Sequence, residues 1–254
     1  MQSPNRGYSS REWALRVKLA GTYRIFDYLG WTSIIFNHIT IRIPGSEHNF
    51  LINPFGLRYD EVTASNLIKV DSNGKKVMDS NYEEWDINAA GYTIHSAIHN
   101  NIDDALCVMH THTPAGLAVA CKTDGLSNTN IYSSMIYDRI SYHDFEGVTL
   151  RNDEQERLIE SIGINPLLIL RNHGLLSIGR TIEEAFVRLW TLQMACETQV
   201  LTESMLGSNI EVSREATKFN MKEVRLFSDE PRESDKSFDA LLRIIDAKDP
   251  SYKN

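Results

Sequence analysis

The hydrophobic positions along the chain predict helices that alternate with short strands. Residues 10–29 carry apolar side chains mostly at helical spacing, behind Ser9 or Ser10 as a candidate N-cap, which predicts a long first helix. Two β-rich runs on either side of Pro44-Gly45-Ser46 predict a hairpin, and Asn73-Gly74 predicts the two-residue turn of another.

The later segments repeat this mixture of helices and strands. Further helices are predicted at 88–100, from Pro114, at 153–163 and at 182–206, and further strands at 105–112, 166–174 and 174–179. Thr113 and Thr181 are expected to cap two of these helices. The stretch 122–147, polar at first and then aromatic, is interpreted as strands and loops. Hairpins interleaved with helices indicate an α/β fold with a mainly antiparallel sheet.

The composition of the chain changes after Gly207. Residues 208–254 are rich in charge and poor in β-branched pattern. We therefore expect a main domain at 1–207 and a C-terminal extension at 208–254, helical in part, that packs on the body or on a neighbouring subunit.

Charge and composition exclude several classes of protein. With 26 Lys and Arg against 34 Asp and Glu, the net charge is −8, which argues against a general nucleic-acid binder. No apolar run approaches the roughly 20 residues of a membrane span, so no membrane partner is expected. The three cysteines lack CxxC spacing, and the start of the chain lacks the apolar core of a secretory signal. Together these features predict a soluble, cytosolic protein.

Three histidines are candidates for a metal site. His110 and His112 flank Thr111 at the end of a predicted buried strand, so period-2 alternation places both imidazoles on one face. His173 lies at a glycine-flanked corner at the end of a later strand. Three imidazole nitrogens are the usual number for a catalytic ion that keeps an open position. Zinc is our first choice, and iron, manganese or cobalt are compatible.

The other histidines have weaker signals. His95 and His99 lie four residues apart on the helix predicted at 88–100, where polar tips on a half-buried face are the simpler interpretation. Of the two, His95 is the better candidate for a fourth ligand or a base. His38 and His143 fit structural roles, and Cys107 should face away from the paired histidines because its spacing to His110 is odd.

Several longer segments resemble the class II aldolase/adducin superfamily. The resemblance covers about residues 11–206 and rests on NHITIRIPG, FLINPFGLRYDEVTASNLIKVD, AAGYTIHSAIHNNIDDALCVMHTHTPAGLAVAC, YHDFEG and LILRNHGLLSIGRTIEEAFVRLWTLQMACETQV. In detail it is closer to the adducin head and its bacterial relatives than to sugar-phosphate aldolases. It implies a three-layer α/β/α sandwich and a C4 homotetramer with sites between neighbouring subunits. It also implies that His110, His112 and His173 hold one divalent metal ion.

The chain departs from the aldolase pattern at two places. The Ser-Ser-Glu segment that supplies phosphate contacts and the glutamate base corresponds to Ala89-Ala90-Gly91, and a phosphate-binding Thr-Gly pair corresponds to Phe55-Gly56. Loss of these hydroxyl groups and of the carboxylate disfavours a doubly charged phosphate and removes a base that contributes about 10²–10⁴ in rate. A sugar-phosphate aldolase is therefore disfavoured.

Two functions remain from this comparison. The first is a metal-dependent lyase-type enzyme that acts on a small, unphosphorylated oxo- or hydroxy-acid. The base in that enzyme would be His95, a tyrosine of the loop such as Tyr142, or Glu146, and the substrate pocket would include His38, Asn53, Gly56 and Gly91. The second is an inactive module, similar to the adducin head, that serves in oligomerisation and interaction.

Overall fold

A computed structural model of the chain describes residues 7–45, 47–77, 85–147, 153–228 and 231–254. The helices in these ranges are α1 (Ser10–Tyr28), α2 (Ala89–Asn101), α3 (Pro114–Ala120), α4 (Ile131–Ile136), α5 (Asp153–Ile162), α6 (Ile182–Glu203), α7 (Arg214–Ser228) and α8 (Pro231–Lys248). The strands are β1 (His38–Arg42), β2 (Phe50–Ile52), β3 (Ile68–Val70), β4 (Cys107–Thr111), β5 (Ile140–His143), β6 (Leu167–Leu170) and β7 (Gly174–Gly179).

All seven described strands form one sheet in the order β3-β2-β1-β4-β7-β6-β5. Neighbouring strands are antiparallel throughout, except that β5 runs parallel to β6. The predicted α/β class with a mainly antiparallel sheet is confirmed. In the register of β1 and β4, His38 lies opposite His110. Two segments that are distant in the sequence therefore meet near one end of these two central strands.

Alternation along the central strands divides the fold into layers. Ile39 of β1 and Cys107 of β4 belong to the larger hydrophobic core, which packs with α1, α6 and α8. Val108 of β4 faces the opposite way, into a smaller core that it shares with α2 and α5. His38 and His110 have the strand parity of this second face, so the polar groups of β1 and β4 lie beneath α2. As expected, Cys107 is on the side away from the histidines.

Local capping explains why the main helices begin where the sequence predicts. The hydroxyl oxygen of Ser9 accepts a hydrogen bond from the Glu12 backbone N–H at 3.1 Å. Thr181 caps α6 in the same way, through the Glu184 backbone N–H. Thr113 caps α3 with Pro114 in its first turn, where the missing N–H leaves no helical bond unmade.

The stretch 122–147 contains a helix that the sequence analysis missed. Asn130 is the N-cap of α4. Its side chain accepts from the Ser133 backbone N–H, while the Ser133 hydroxyl accepts in return from the Asn130 backbone N–H. This reciprocal cap uses serine where glutamate or glutamine is usual, and the helix has only six residues. The prediction of strands and loops is wrong there and correct for β5.

The hairpin predicted around Asn73-Gly74 is shorter than expected. Asp71 accepts hydrogen bonds from the backbone N–H groups of Asn73 and Lys75, which tightens the turn. On its far side only one bridge, between Val70 and Lys76, pairs with β3 within the described residues.

The C-terminal extension packs on the body of the same chain. α7 lies against α4, and α8 lies against α1 and α6. Phe238 and Tyr252 are fully buried, and the Asn254 carbonyl accepts a hydrogen bond from the Ser65 backbone N–H. The division at residue 207 stays a prediction. None of the described helices combines the length and the hydropathy that a membrane crossing needs, and the cytosolic location also stays a prediction.

Candidate metal and substrate site

His110, His112 and His173 come together at one end of the sheet. His110 lies on β4, His112 directly follows that strand, and His173 belongs to the turn between β6 and β7. One ring nitrogen from each residue lies within 4.8 Å of the other two, and the Nε2 atoms of His110 and His112 are 2.7 Å apart.

Gly174 allows β7 to lie close to β4, so that the three histidine rings can meet. A Cβ atom at this position would lie 2.3 Å from the Thr111 carbonyl oxygen and 3.1 Å from Cδ2 of His112. Asn172 turns the chain just before it, with a φ of 56°, and its backbone N–H donates to the Ala120 carbonyl. The three residues Asn172, His173 and Gly174 therefore have separate roles. Asn172 adopts the left-handed turn, His173 supplies the ring, and Gly174 leaves room for the Thr111 carbonyl.

The three side chains are suited to hold a transition-metal ion. His110 is fully buried, and its Nδ1 lies 2.9 Å from the Leu175 carbonyl oxygen, which can only accept, so Nδ1 carries the proton and Nε2 keeps its lone pair. Burial lowers the pKa of His110 well below its ordinary range and that of His173 to about 4, and it also lowers the pKa of His112. Neutral imidazoles, one of them oriented by a carbonyl group, are the donors that zinc and related ions take.

A cavity of about 600 Å³ opens beside these rings. The surface of its wall is mostly apolar, and the described residues around it include none of the lysines or arginines. They are Ser33, Phe36, His38, Phe55, Asn88, Ala90, Ile94, His112, Leu117, Phe145, Gly147, Asn172 and His173. Phe36 and Phe145 are half exposed. The cavity can therefore accommodate a small molecule with an apolar part next to the candidate metal ligands.

His38 occupies the space above Gly91. A Cβ atom on Gly91 would lie 2.5 Å from Cδ2 and 2.7 Å from Nε2 of His38. Any larger residue at 91 would displace the ring, which explains the glycine in physical terms. The His38 ring also lies against that of His110, with centroids 4.9 Å apart.

A buried row of hydrogen bonds extends behind His38. Its Nδ1 lies 2.9 Å from Nε2 of His95, and Nδ1 of His95 lies 2.7 Å from the Thr40 hydroxyl oxygen. That oxygen is 2.6 Å from Nε2 of His99, whose Nδ1 is 2.7 Å from the Ala105 carbonyl oxygen. We name these five groups, from Ala105 to His38, the imidazole chain.

The imidazole chain is closed to water at its inner end. His95 and His99 are 1% exposed. Burial lowers the pKa of His95 well below its ordinary range and that of His38 and His99 to about 3, so all three rings are neutral at pH 7. His95 lies behind His38 and is not among the residues that line the cavity.

The sequence predicts no role for Thr40 and only a structural one for His99. The available signal was the alternation of His38 and Thr40 on β1 combined with the spacing of His95 and His99 on α2. These two patterns predict two polar faces, but not that one packs on the other.

Two predicted catalytic residues, Tyr142 and Glu146, are not among the residues that line the cavity, although both chain neighbours of Glu146 are. The Tyr142 hydroxyl oxygen accepts a hydrogen bond from the Leu126 backbone N–H at 3.0 Å, and the Arg171 guanidinium covers its ring. Burial raises the pKa of the Tyr142 hydroxyl above its ordinary value. Glu146 forms a two-oxygen ion pair with Arg157, one contact being 2.7 Å.

Two predicted pocket residues have structural partners instead. The Asn53 side-chain oxygen accepts a hydrogen bond from the buried Tyr23 hydroxyl at 2.8 Å. Gly56 has a φ of 114° and lies under the indole of Trp85, where a Cβ would be 2.5 Å from the ring. The neighbouring Phe55, in contrast, lines the cavity.

The fold agrees with the comparison to known families. The sequence profile of the family described as Class II Aldolase and Adducin N-terminal domain matches residues 17–200, and the chain belongs to this family. The chain is 44% identical, over 96% of its length and 94% of the relative, to a Pseudomonas aeruginosa protein provisionally named an aldolase class 2 protein. It is 42% identical to mouse alpha-adducin over 81% of this chain and 28% of the adducin.

Solved structures show the same fold. The aldolase II superfamily protein from Pseudomonas syringae superposes with a TM-score of 0.92 at 38% identity, covering 98% of both chains. L-fuculose 1-phosphate aldolase from Glaciozyma antarctica superposes with a TM-score of 0.84 at 25% identity, covering 100% of this chain and 96% of that one. The α/β sandwich expected from the resemblance is confirmed.

Proposed function

We propose that this protein is a metal-dependent, lyase-type enzyme of the class II aldolase/adducin family that acts on a small, unphosphorylated oxo- or hydroxy-acid. The observation that carries the proposal is the cluster of three neutral imidazoles at the edge of a cavity of about 600 Å³. Ring nitrogens of three residues that meet beside a cavity are the donor set that a transition-metal ion takes in a site with an open position.

His110, His112 and His173 would hold the ion, with zinc as the first choice. When bound, a divalent ion supplies a Lewis acid that polarises carbonyl and hydroxyl oxygens. The Leu175 carbonyl fixes the orientation of the His110 ring, and Gly174 keeps β7 close enough for His173 to reach the same point. Both features are part of the main chain, so they do not depend on the presence of an ion.

The substrate class follows from the cavity wall. Phe55 and Ile94 line it, and the described lining offers no cationic side chain to a phosphate group. A doubly charged phosphate transferred there would lose hydration without a cationic partner in the described lining. A carboxylate that binds near the histidine cluster and an apolar group that packs on the phenyl rings agree better with this wall.

We further propose that the protein forms a homotetramer with its sites near subunit interfaces. Ile34 and the two rim residues Phe36 and Phe145 expose 73%, 48% and 53% of their surface. Apolar surface of this kind beside a site is typical of a contact region. Light scattering at several protein concentrations tests the assembly, and a monomer at every concentration would refute it.

The second candidate function is an inactive interaction module. It is favoured by the 42% identity to alpha-adducin and by the loss of the carboxylate at Gly91. It predicts an intact fold without turnover, whether or not a metal binds.

One experiment separates the two functions. The purified chain, dialysed against zinc, manganese or ferrous iron, is measured for bound metal and then incubated with mixed small oxo- and hydroxy-acids, whose consumption is followed by proton NMR. We expect about one metal ion per chain and metal-dependent consumption of at least one acid. The His110→Ala/His112→Ala variant should lose both, while His143→Gln, a buried histidine outside the cluster, should lose neither. Absence of metal from the wild-type chain would overturn the enzyme proposal.

A further inference from the structure

The imidazole chain ends at His38, which lines the proposed substrate cavity. His38 lines the cavity and lies opposite His110 in the sheet, yet it is outside the set of three metal ligands. Its Nδ1 is hydrogen-bonded to Nε2 of His95, and among the described residues no group forms a hydrogen bond with its own Nε2. The chemistry of this free nitrogen depends on where the protons of the imidazole chain lie.

The Ala105 carbonyl oxygen determines the first proton. An oxygen of this type can only accept, so Nδ1 of His99, at 2.7 Å, must donate. Burial lowers the pKa of His99 to about 3, and the ring is therefore neutral and carries one proton. Nε2 of His99 is then an acceptor.

The Thr40 hydroxyl determines the position of the next proton, that of His95. It has a single proton and two ring nitrogens as neighbours, at 2.6 Å and 2.7 Å. Because Nε2 of His99 needs a donor, the hydroxyl proton points to it, and the Thr40 oxygen must accept from Nδ1 of His95. Burial also keeps His95 neutral, so its Nε2 accepts from Nδ1 of His38.

We propose that the imidazole chain fixes His38 in the tautomer with its proton on Nδ1, so that Nε2 presents a lone pair to the cavity and accepts a hydrogen bond from a substrate hydroxyl group. Thr40 and His99 are positioning residues in this arrangement, since they act on the substrate only through His38. The inference rests on the proposed function for the identity of the cavity as a substrate site.

The location of Gly91 supports a role for this lone pair. Nε2 of His38 is 2.7 Å from the position that a Cβ on residue 91 would take. The ring therefore fills the space that a side chain at residue 91 would need. A hydroxy-acid would meet an uncharged acceptor there, so its hydroxyl group, rather than a cationic group, is the feature that is recognised.

Tautomers can be read directly from two-bond proton–nitrogen NMR correlations on the full-length chain with ¹⁵N-labelled histidine. Spectra are recorded after EDTA treatment, so that failure to bind a metal does not affect the result, and again with zinc added. The His38→Gln variant assigns the His38 signals. We expect a single His38 tautomer, protonated at Nδ1, and the same tautomer for His95 and His99.

Thr40→Ser and Thr40→Val form the matched pair of variants. Serine keeps the hydroxyl group and should preserve all three tautomers. Valine has the shape of threonine without the hydrogen bonds and should leave His38 and His95 as mixtures of both tautomers, while His99 keeps its proton on Nδ1. A His38 protonated at Nε2 in the wild-type chain would overturn the inference, even in a protein that binds zinc. If Thr40→Val does not fold, the wild-type and Thr40→Ser spectra still decide the matter.

Discussion

Gly91 and His38 are in direct steric contact across the interface of α2 and β1. The backbone of Gly91 leaves room for the imidazole ring, and a methyl group there would lie 2.5 Å from Cδ2. The absence of a carboxylate at position 91 and the presence of a ring at position 38 are therefore two parts of one arrangement.

This contact predicts that Gly91→Ala destabilises the protein. Alanine in place of glycine inside a helix normally stabilises it by about 1 kcal/mol, but overpacking against His38 should cost about 1–3 kcal/mol. Urea unfolding of Gly91→Ala, His38→Ala and the double variant measures the coupling between the two positions. We expect a coupling energy of about 1 kcal/mol or more, and additive effects would contradict a direct contact.

Gly174→Ala should weaken metal binding without removing a ligand. Its Cβ would overlap the Thr111 carbonyl oxygen, which forces β7 away from β4 and moves His173. The loss of stability should be about 1–3 kcal/mol or more, together with a clear loss of zinc affinity in isothermal titration calorimetry. Gly30→Ala is the control, since its Cβ meets nothing within 4 Å and only the left-handed backbone at φ 73° is strained. It should cost about 1–2 kcal/mol and leave zinc affinity unchanged.

Stability should fall as the solution becomes acidic, in part because of His99. Burial lowers the pKa of His99 from 6.5 to about 3 in the folded chain, so between these values the unfolded chain binds more protons. The contribution of His99 is thus fully present above pH 6.5 and is lost as the pH falls towards 3. His99→Gln cannot titrate, and its unfolding free energy should depend less on pH in this window, by up to about 1.4 kcal/mol per pH unit. Parallel curves for the two proteins would contradict the assignment.

Phe238 should be as important to stability as a residue of the main domain. It is fully buried in the larger core although it lies on α8 of the C-terminal extension. Phe238→Ala should cost about 3–5 kcal/mol, whereas Phe219→Ala on α7, where the ring is 67% exposed, should change stability by less than about 0.5 kcal/mol. Guanidinium unfolding measures both variants. Equal, small effects would mean that the extension does not share the core.

Sequence patterns located most elements because local rules decide them. Ser9, Thr113 and Thr181 cap helices where expected, and period-2 alternation correctly oriented His110 and Cys107. α4 was missed because six residues give little periodicity and its cap is a serine.

Only those parts of the site that follow from the spacing of residue types along the sequence could be predicted. His110, His112 and His173 could be grouped because metal ligation gives a reason for distant residues to meet. Nothing local indicates that Tyr142 accepts its hydrogen bond from the Leu126 backbone or that Glu146 pairs with Arg157. The contacts of Thr40 likewise depend on how α2 packs on β1, which no single segment specifies.

The Ala105 carbonyl lies in the segment between α2 and β4, and it belongs to the main chain. A side chain can be replaced by one that reverses a hydrogen bond, but a peptide carbonyl is the same in every amino acid. Substitutions can therefore interrupt the hydrogen bonds of the imidazole chain. They cannot reverse the donor and acceptor roles as long as the Ala105 carbonyl stays in place. In evolutionary terms, relatives that retain the rings should share the same polarity whatever substrate each has come to bind.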